Sequence, residues 1–348
     1  MSLLRLYRYP LKSGAAEALD RCIVDGRGLA EDRRWMLVDS HGQFITGRQS
    51  PALVRIQTRS QADGLHCTLA GHPPLLVPQP GAYAECLEIT IWGDRLSAAC
   101  AGDAADRWFS AVLDQDCRLV AMDARSERAI DPAYALPGEQ VSFADGFPLL
   151  MIGSASLQHL NQVAGENLHE LRFRPNLVVA TQVPHEEDQW RRVRIGERTF
   201  RVAKPCARCQ FTTVDPFSGE RHPRGEPLRS LARYRRHDGE VLFGQNLIAE
   251  TTGELRVGDP LTVIDYLPAS GADRQRHRRR RRHMLAGPAL RLSAQVIQQH
   301  LRHFRHQAFR QFVPQAGNDF QSALRQMAGQ INRGRHRDQR IIGAVNHQ

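Results

Sequence analysis

The sequence predicts a mainly β protein with some α, organised as an N-terminal β-barrel-like domain, a second sheet-dominated domain and a disordered basic tail. Three observations carry this. Short β-rich runs separated by turn residues fill the first hundred residues, similar runs return after two helical stretches, and the composition changes abruptly after Tyr266. A chain of 348 residues exceeds the usual single core, so two domains are expected. Hydrophobic residues make up 41% of it, yet no run approaches the roughly 18 to 20 apolar residues of a membrane span.

The segments CIVDGRG from Cys22, RRWMLVDSHGQFITGRQ from Arg33, LHCTLAGHPPLLV from Leu65 and LEITIWGDRL from Leu87 predict strands. In the second of these, β-rich runs on either side of Ser40-His41-Gly42 predict a hairpin. From Asp106, DRWFSAVL spaces Trp108, Val112 and Leu113 for a helix, as does SASLQHLNQVAG from Ser154, with Ser154 and Ser156 as candidate N-caps. Strands return at RPNLVVA, WRRVRIG, RTFRVAK, QFTTVD, VLFGQNLIAE and LRVGDPLTVI. The expected domains are residues 1–120 and 121–266, with 267–348 as an Arg-rich, low-complexity tail.

The charge is unevenly placed. The last 82 residues hold 16 Arg and 3 Asp, a charge of +13, which leaves residues 1–266 at −3 within the total of +10. Excess Arg, Gln and His without Lys or Glu favours a solvated disordered tail, or an out-of-frame read of a GC-rich gene, over specific nucleic-acid binding. Within it, Val296, Ile297, Leu301, Phe304, Ala308 and Phe312 have helical spacing. Arg5, Arg8 and Lys12 interrupt the N-terminus where a secretory signal would be apolar. Seven scattered cysteines, an odd number, do not form a disulfide framework. A reducing cytoplasm and a monomer are expected, with no membrane partner.

The most informative segment is KPCARCQFTTVDPFSGER, Lys204 to Arg221. A Cys-x-x-Cys pair permits a redox dithiol, half of a zinc site, or one metal-ligating thiolate with a structural neighbour. The β-rich run Gln210 to Val214 favours a strand after Cys209, where a thioredoxin-like motif wants a helix N-terminus. Zinc lacks a second cysteine pair, with His222 the only nearby histidine. Two semi-buried core cysteines remain open, although the Arg208 cation between them favours a thiolate.

This segment resembles the signature of the MOSC family, the domain named for the C-terminus of molybdenum cofactor sulfurase. The similarity is strongest to the bacterial N-hydroxylated-base reductases and the mitochondrial amidoxime-reducing component. YPLKSG from Tyr9, EDRRWMLVD from Glu31, SFADGFPLL from Ser142, LRFRPNLVV from Leu171 and FGQNLIAETTGELRVGDPLTV from Phe243 match the same branch in family order. The resemblance covers about the first 265 residues and none of the tail.

The resemblance implies an N-terminal β-barrel domain, a β-barrel MOSC domain, and a molybdenum–pterin cofactor between them. It makes Cys209 the molybdenum ligand and Cys206 a neighbour. Lys12, Ser13, Arg33, Arg174, Asn176 and Arg208 become its cofactor-binding residues, chemically suited to a pterin phosphate. Asp145 matches a position near the metal, where a carboxylate relays protons, and is otherwise a turn residue before Gly146. Asn246 has no assigned role, Phe243-Gly244-Gln245 being readable as a turn. Arg34, Arg48 and Arg172 are left as solvated surface charges. The implied activity is reduction of hydroxylaminopurine-type bases and amidoximes. The iron–sulfur domain of the bacterial relatives needs four cysteines, and none follows Cys209, so electrons are expected from a separate flavoprotein or ferredoxin-type reductase. Two alternatives stand beside it: a sulfur carrier with a persulfide on Cys209, and a nucleic-acid-binding protein acting through the tail.

Overall fold

In the computed structural model, which describes residues 1–268, backbone pairing assembles nine strands into one sheet. Its order is Leu261–Tyr266, Trp190–Ile195, Arg198–Ala207, Glu240–Ala249, Leu149–Gly153, Leu177–Val179, Leu3–Arg8 and Glu17–Leu19, with Arg236–His237 paired to Glu240–Ala249. Neighbours run antiparallel except Leu149–Gly153 and Leu177–Val179, whose parallel pairing is bridged by the helix Ser154–Ala164. A parallel pair needs such a crossover. Every residue of these two strands is buried, as expected where a sheet is covered on both faces.

One face carries Leu3, Leu6, Met151, Leu177, Phe200 and Leu247, packed against Val24, Leu29 and Leu255. Those three come from a small sheet of Gly253–Arg256, Arg21–Asp25 and Gly28–Leu29, which closes over the large one. The opposite face carries Tyr7, Ile152, Val178 and Phe243 against Leu157, Leu160 and Leu231 of the helices Ser154–Ala164 and Leu228–Tyr234. Fully burying one such side chain contributes about 1.5–3 kcal/mol.

The rest of the N-terminal region is built on the sheet Trp35–Val38, Arg118–Ala121, Asp94–Cys100 and Cys86–Ile91. Alternation divides WMLV between two cores. Trp35 and Leu37 join Phe109 of the helix Asp103–Leu113, while Met36 and Val38 join Ile89, Val120 and Phe143. A second sheet, Gln57–Gln61, Gly64–Thr68 and Leu75–Val77, supplies Leu65, Cys67 and Val77 to the first of these cores.

The first thirty residues do not stay within the N-terminal region. Leu3–Arg8 sits beside Leu177–Val179 in the large sheet, and Arg21–Asp25 pairs with Gly253–Arg256. Hydrogen bonding therefore crosses residue 120, and residues 1–268 form one compact unit. No described helix is long and apolar enough to cross a membrane.

One local expectation holds and one is corrected. Around Ser40-His41-Gly42 the chain folds back as a short hairpin: Val38 bridges Phe44 antiparallel, the Asp39 amide donates to Gln43 O at 2.9 Å and the Ile45 amide to Leu37 O at 2.8 Å, and Asp39 Oδ1 accepts from the His41 and Gln43 amides to close the turn. Neither Ser154 nor Ser156 caps its helix, whose cap position is Gly153. Ser154 Oγ instead accepts from the Thr181 amide, Ser156 Oγ donates to Glu187, and the Gly153 amide also reaches Glu187. Beyond Leu267 and Pro268 the predicted tail, with its helical stretch and the nucleic-acid reading, falls on residues outside the described ones.

The shared strands give a stability prediction. Residues 121–268 produced alone should show no cooperative urea transition, because the large sheet then lacks Leu3–Arg8 and its cover lacks Arg21–Asp25. In the full chain, Leu6→Ala should cost about 2–5 kcal/mol. Cooperative folding of the isolated fragment would show that residue 120 separates independent units.

Candidate active site

The strand Arg198–Ala207 leads to the cysteine pair and ends as the Arg208 amide donates to Val241 O at 2.7 Å. After Cys209 the chain makes a single 3-10 turn, Gln210–Thr213, and not the strand its β-rich composition predicts. The threonines explain the difference: Thr212 Oγ1 donates to Cys209 O at 2.9 Å and Thr213 Oγ1 to Gln210 O at 2.8 Å. Such back-bonding competes with a sheet ladder. The turn leaves Cys206 and Cys209 half-buried along a cleft of about 130 Å³.

Every sequence-predicted site residue lines this cleft. Lys12, Ser13 and Arg33 come from the N-terminal segments; Asp145, Arg174, Asn176, Arg208 and Cys209 come from the second region. Arg33 joins the two. Its Nη1 donates to Asp32 Oδ2 at 2.6 Å and Asn176 Oδ1 at 3.0 Å, and its Nη2 to Arg174 O at 3.1 Å. Asp32 is fully buried and also accepts the Tyr9 amide at 2.8 Å. The Tyr9 ring lies 4.3 Å from the Arg33 guanidinium and 4.2 Å from that of Arg174.

Asn176 is occupied by the fold. Its carboxamide also accepts the Leu150 amide at 3.2 Å and donates to Tyr7 O at 3.1 Å. Ser13 Oγ accepts the Gly47 amide at 3.0 Å. A side chain at Gly47 would collide with the ring of Phe211, two residues past Cys209. That close approach requires glycine.

Four of the eight described non-glycine residues with positive φ line the cleft: Ser13 at 66°, Arg33 at 50°, Trp92 at 54° and Arg174 at 55°. Each such conformation costs on the order of 1–3 kcal/mol and persists only where its surroundings enforce it.

At the mouth, Lys12 Nζ donates to Asp145 Oδ1 at 2.7 Å and Phe143 O at 2.8 Å, and Trp92 Nε1 reaches the same carboxylate at 3.2 Å. Desolvation in the cleft pushes the Asp145 carboxyl up. The Lys12 ammonium outweighs it and, with Arg48 and Trp92, holds that carboxyl well below the usual carboxylate range. Asp145 therefore stays ionised, and the proton of this pair resides on Lys12 Nζ.

The inner wall is short of acceptors. Burial, reinforced by Arg33, pushes the Arg174 guanidinium down to about 10. Its Nη1 donates to Gly14 O at 2.6 Å, while its Nη2 is buried without a partner, as is Arg208 Nε. Arg208 does not serve Cys209. Its Nη1 lies 2.8 Å from Cys206 Sγ and its Nη2 donates to Phe173 O at 2.6 Å, so the cation that favours a thiolate stands against the first cysteine.

Sequence reasoning placed three arginines on the surface that the fold uses. Arg34, largely buried, pairs with the more exposed Asp25 at 2.7 Å, and Arg172, likewise, with Asp215 at 2.8 Å, while Arg48 lines the cleft with its guanidinium 4.3 Å from the Trp92 ring. Trp92 and Arg128 were missed. Arg128 is buried and shapes the Asp145 loop by donating to Ser142 O at 2.9 Å, Ala144 O and Asp145 O at 2.9 Å. The signal available for Trp92 was its place before Gly93, where a hairpin turn favours asparagine. Asn246 also lines the cleft, from within the strand Glu240–Ala249 and not from a turn.

Residues 1–116 match the MOSC N-terminal beta barrel domain and residues 138–262 the MOSC domain. Mitochondrial amidoxime-reducing component 1 of Mus musculus is 33% identical over 281 residues, which cover 76% of this chain and 82% of that protein. Its Homo sapiens counterpart is 31% identical over 284 residues, 76% and 83% of the two chains. Molybdenum cofactor sulfurase of Solanum lycopersicum is 28% identical over 282 residues, 73% of this chain but 34% of that protein. Domain order and relatives agree: the chain belongs to the MOSC family, in the branch that contains the amidoxime-reducing components.

Proposed function

We propose that this chain is a molybdenum-cofactor-dependent reductase of N-hydroxylated compounds, with amidoximes and hydroxylaminopurine-type bases as its substrate class. One observation carries the reading. Cys209 opens onto a cleft lined by six cationic side chains and one carboxylate, with an Arg174 nitrogen buried and unpartnered. A buried donor without an acceptor is costly, and a phosphate-bearing pterin is the kind of group that relieves it.

When bound, the cofactor supplies a metal able to change oxidation state. Cys209 Sγ is the ligand this chain offers it, a soft thiolate suited to such a metal. Arg174 and Arg208 would hold the anionic end through their unpartnered nitrogens, with Arg33 adding charge beside Arg174 and Lys12 adding charge beside Asp145. Ser13 and Asn176 position these groups, since their own polar atoms are engaged by Gly47, Arg33, Leu150 and Tyr7. The proton for the departing substrate oxygen is held on Lys12 Nζ, and Asp145 keeps that ammonium charged, a refinement of the relay role expected for the carboxylate. Electrons come from a separate flavoprotein or ferredoxin-type protein, and the word component in the relatives' names supports this. We place the activity in the cytoplasm, where seven unpaired cysteines remain thiols.

The match to a molybdenum cofactor sulfurase favours a second reading, a persulfide carried on Cys209. Metal analysis of protein from a cofactor-producing host separates the two. The reductase predicts stoichiometric molybdenum, no turnover of benzamidoxime with NAD(P)H alone, and turnover once a flavin reductase or a reduced viologen is added. Cyanide-labile sulfur without molybdenum would establish the carrier.

Asp145→Asn tests the proton assignment. Burial disfavours the Lys12 ammonium and Asp145 opposes that effect, so without the carboxylate Lys12 loses its proton at lower pH. The alkaline limb of the kcat/KM profile should move to lower pH. An unmoved limb would exclude Lys12 as the proton donor.

A further inference from the structure

The hairpin Cys86–Ile91 to Asp94–Cys100 closes in two residues, because Ile91 pairs directly with Asp94. Trp92 and Gly93 have φ of 54° and 100°, the two positive angles of a type I′ turn, where Asn-Gly is favoured. Tryptophan is a poor choice there, and the pairing of the hairpin makes no use of its indole. The cleft does. The ring supports the Arg48 guanidinium at 4.3 Å, meets the edge of Phe44 at 4.8 Å, and donates from Nε1 to Asp145.

Arg48 differs from the other cations of the cleft. Lys12, Arg33 and Arg172 have carboxylate partners in Asp145, Asp32 and Asp215. Arg208 reaches Cys206 and Phe173 O, and Arg174 reaches Gly14 O. Among the described residues the Arg48 guanidinium has no carboxylate within 4.0 Å and no hydrogen-bond acceptor, although its main chain is anchored by Arg221 Nη2 on Arg48 O at 2.6 Å. Stacking uses the face of a guanidinium and leaves its N–H edge free. That edge is a planar fork fitted to a carboxylate or a phosphate.

We propose that Arg48, held on Trp92 at the cleft mouth, is the specificity-determining residue of this site, selecting N-hydroxylated substrates that carry a carboxylate or phosphate. The proposal rests on the reductase reading. It explains why a strained tryptophan occupies a turn position: that backbone conformation sets the indole under the Arg48 guanidinium in the cleft lining.

Two probes differing by one ring carboxylate, benzamidoxime and 4-carboxybenzamidoxime, test it on the cofactor-loaded protein by calorimetric Kd and by turnover with a reduced viologen. The wild type should bind the carboxylate probe about tenfold more tightly, as expected of one charge-assisted contact. Arg48→Gln should abolish that preference, the two Kd values converging. Adding inorganic phosphate should weaken carboxylate-probe binding to the wild type but not to Arg48→Gln. Trp92→Asn should keep or raise Tm, because Asn suits the turn, while reducing the preference. A preference that survives Arg48→Gln, or its absence from the wild type, overturns the proposal. A lowered Tm with unchanged preference would make Trp92 a packing residue and overturn its part. Charge-selective binding without turnover of either probe upholds the Arg48 contact and counts against the reductase; turnover without charge selectivity does the reverse.

Discussion

The cleft depends on the largely buried Arg33 guanidinium and its fully buried partner Asp32. The Arg33 backbone bonds Tyr9 O at 2.7 Å and accepts the Phe143 amide at 2.9 Å, while its side chain holds Asp32, Asn176 and Arg174 O. Three distant segments, Tyr9 to Gly14, Ser142 to Leu150 and Arg174 to Asn176, therefore meet at one residue. Removing one partner of such a buried pair costs on the order of 3–5 kcal/mol, because the other charge is left uncompensated. That cost also sustains the positive φ of Arg33 and Arg174, which place both guanidinium groups against the Tyr9 ring.

Gathering six cations into one cleft is unfavourable unless each is balanced. The fold balances them unequally. Carboxylates compensate Lys12, Arg33 and Arg172; carbonyls, aromatic faces and a thiol partly compensate Arg174, Arg208 and Arg48. The remaining deficit lies beside Arg174 and Arg48, where the proposed anions would bind. Binding there would be favoured because the desolvation of the arginines has already been met during folding.

Much of this was legible in the sequence, for two different reasons. The strands and helices followed from local periodicity, as in LEITIWGDRL and SASLQHLNQVAG, and the residues proposed to hold the cofactor, which came from family motifs, line one cleft. What escaped was set by contacts far apart in the chain. Nothing near Arg128 indicates that it folds back on Ser142 to Asp145, nor does anything near Arg172 reveal Asp215. The destination of Leu3–Arg8, in the sheet of the second region, depends on a partner more than 160 residues away. Local side-chain chemistry explains the turn after Cys209, where paired threonines overrode β propensity. The neighbourhood of Arg208 misled for a simpler reason: adjacency to two cysteines does not say which one its side chain faces.

That last point makes the cysteine pair the place to test the account. Molybdenum electron paramagnetic resonance on Cys209→Ser and Cys206→Ser, alongside metal content, measures the ligand assignment directly. Thiolate ligation through Cys209 predicts an altered signal and lost turnover in Cys209→Ser, with part of the cofactor retained because Arg33, Arg174 and Lys12 still hold it. Cys206→Ser should keep the wild-type signal and a measurable fraction of activity, since its thiol contacts only Arg208 and a carbonyl. The reverse pattern, a silent Cys206→Ser and an unaltered Cys209→Ser, would contradict the account by moving the metal to the cysteine that Arg208 faces.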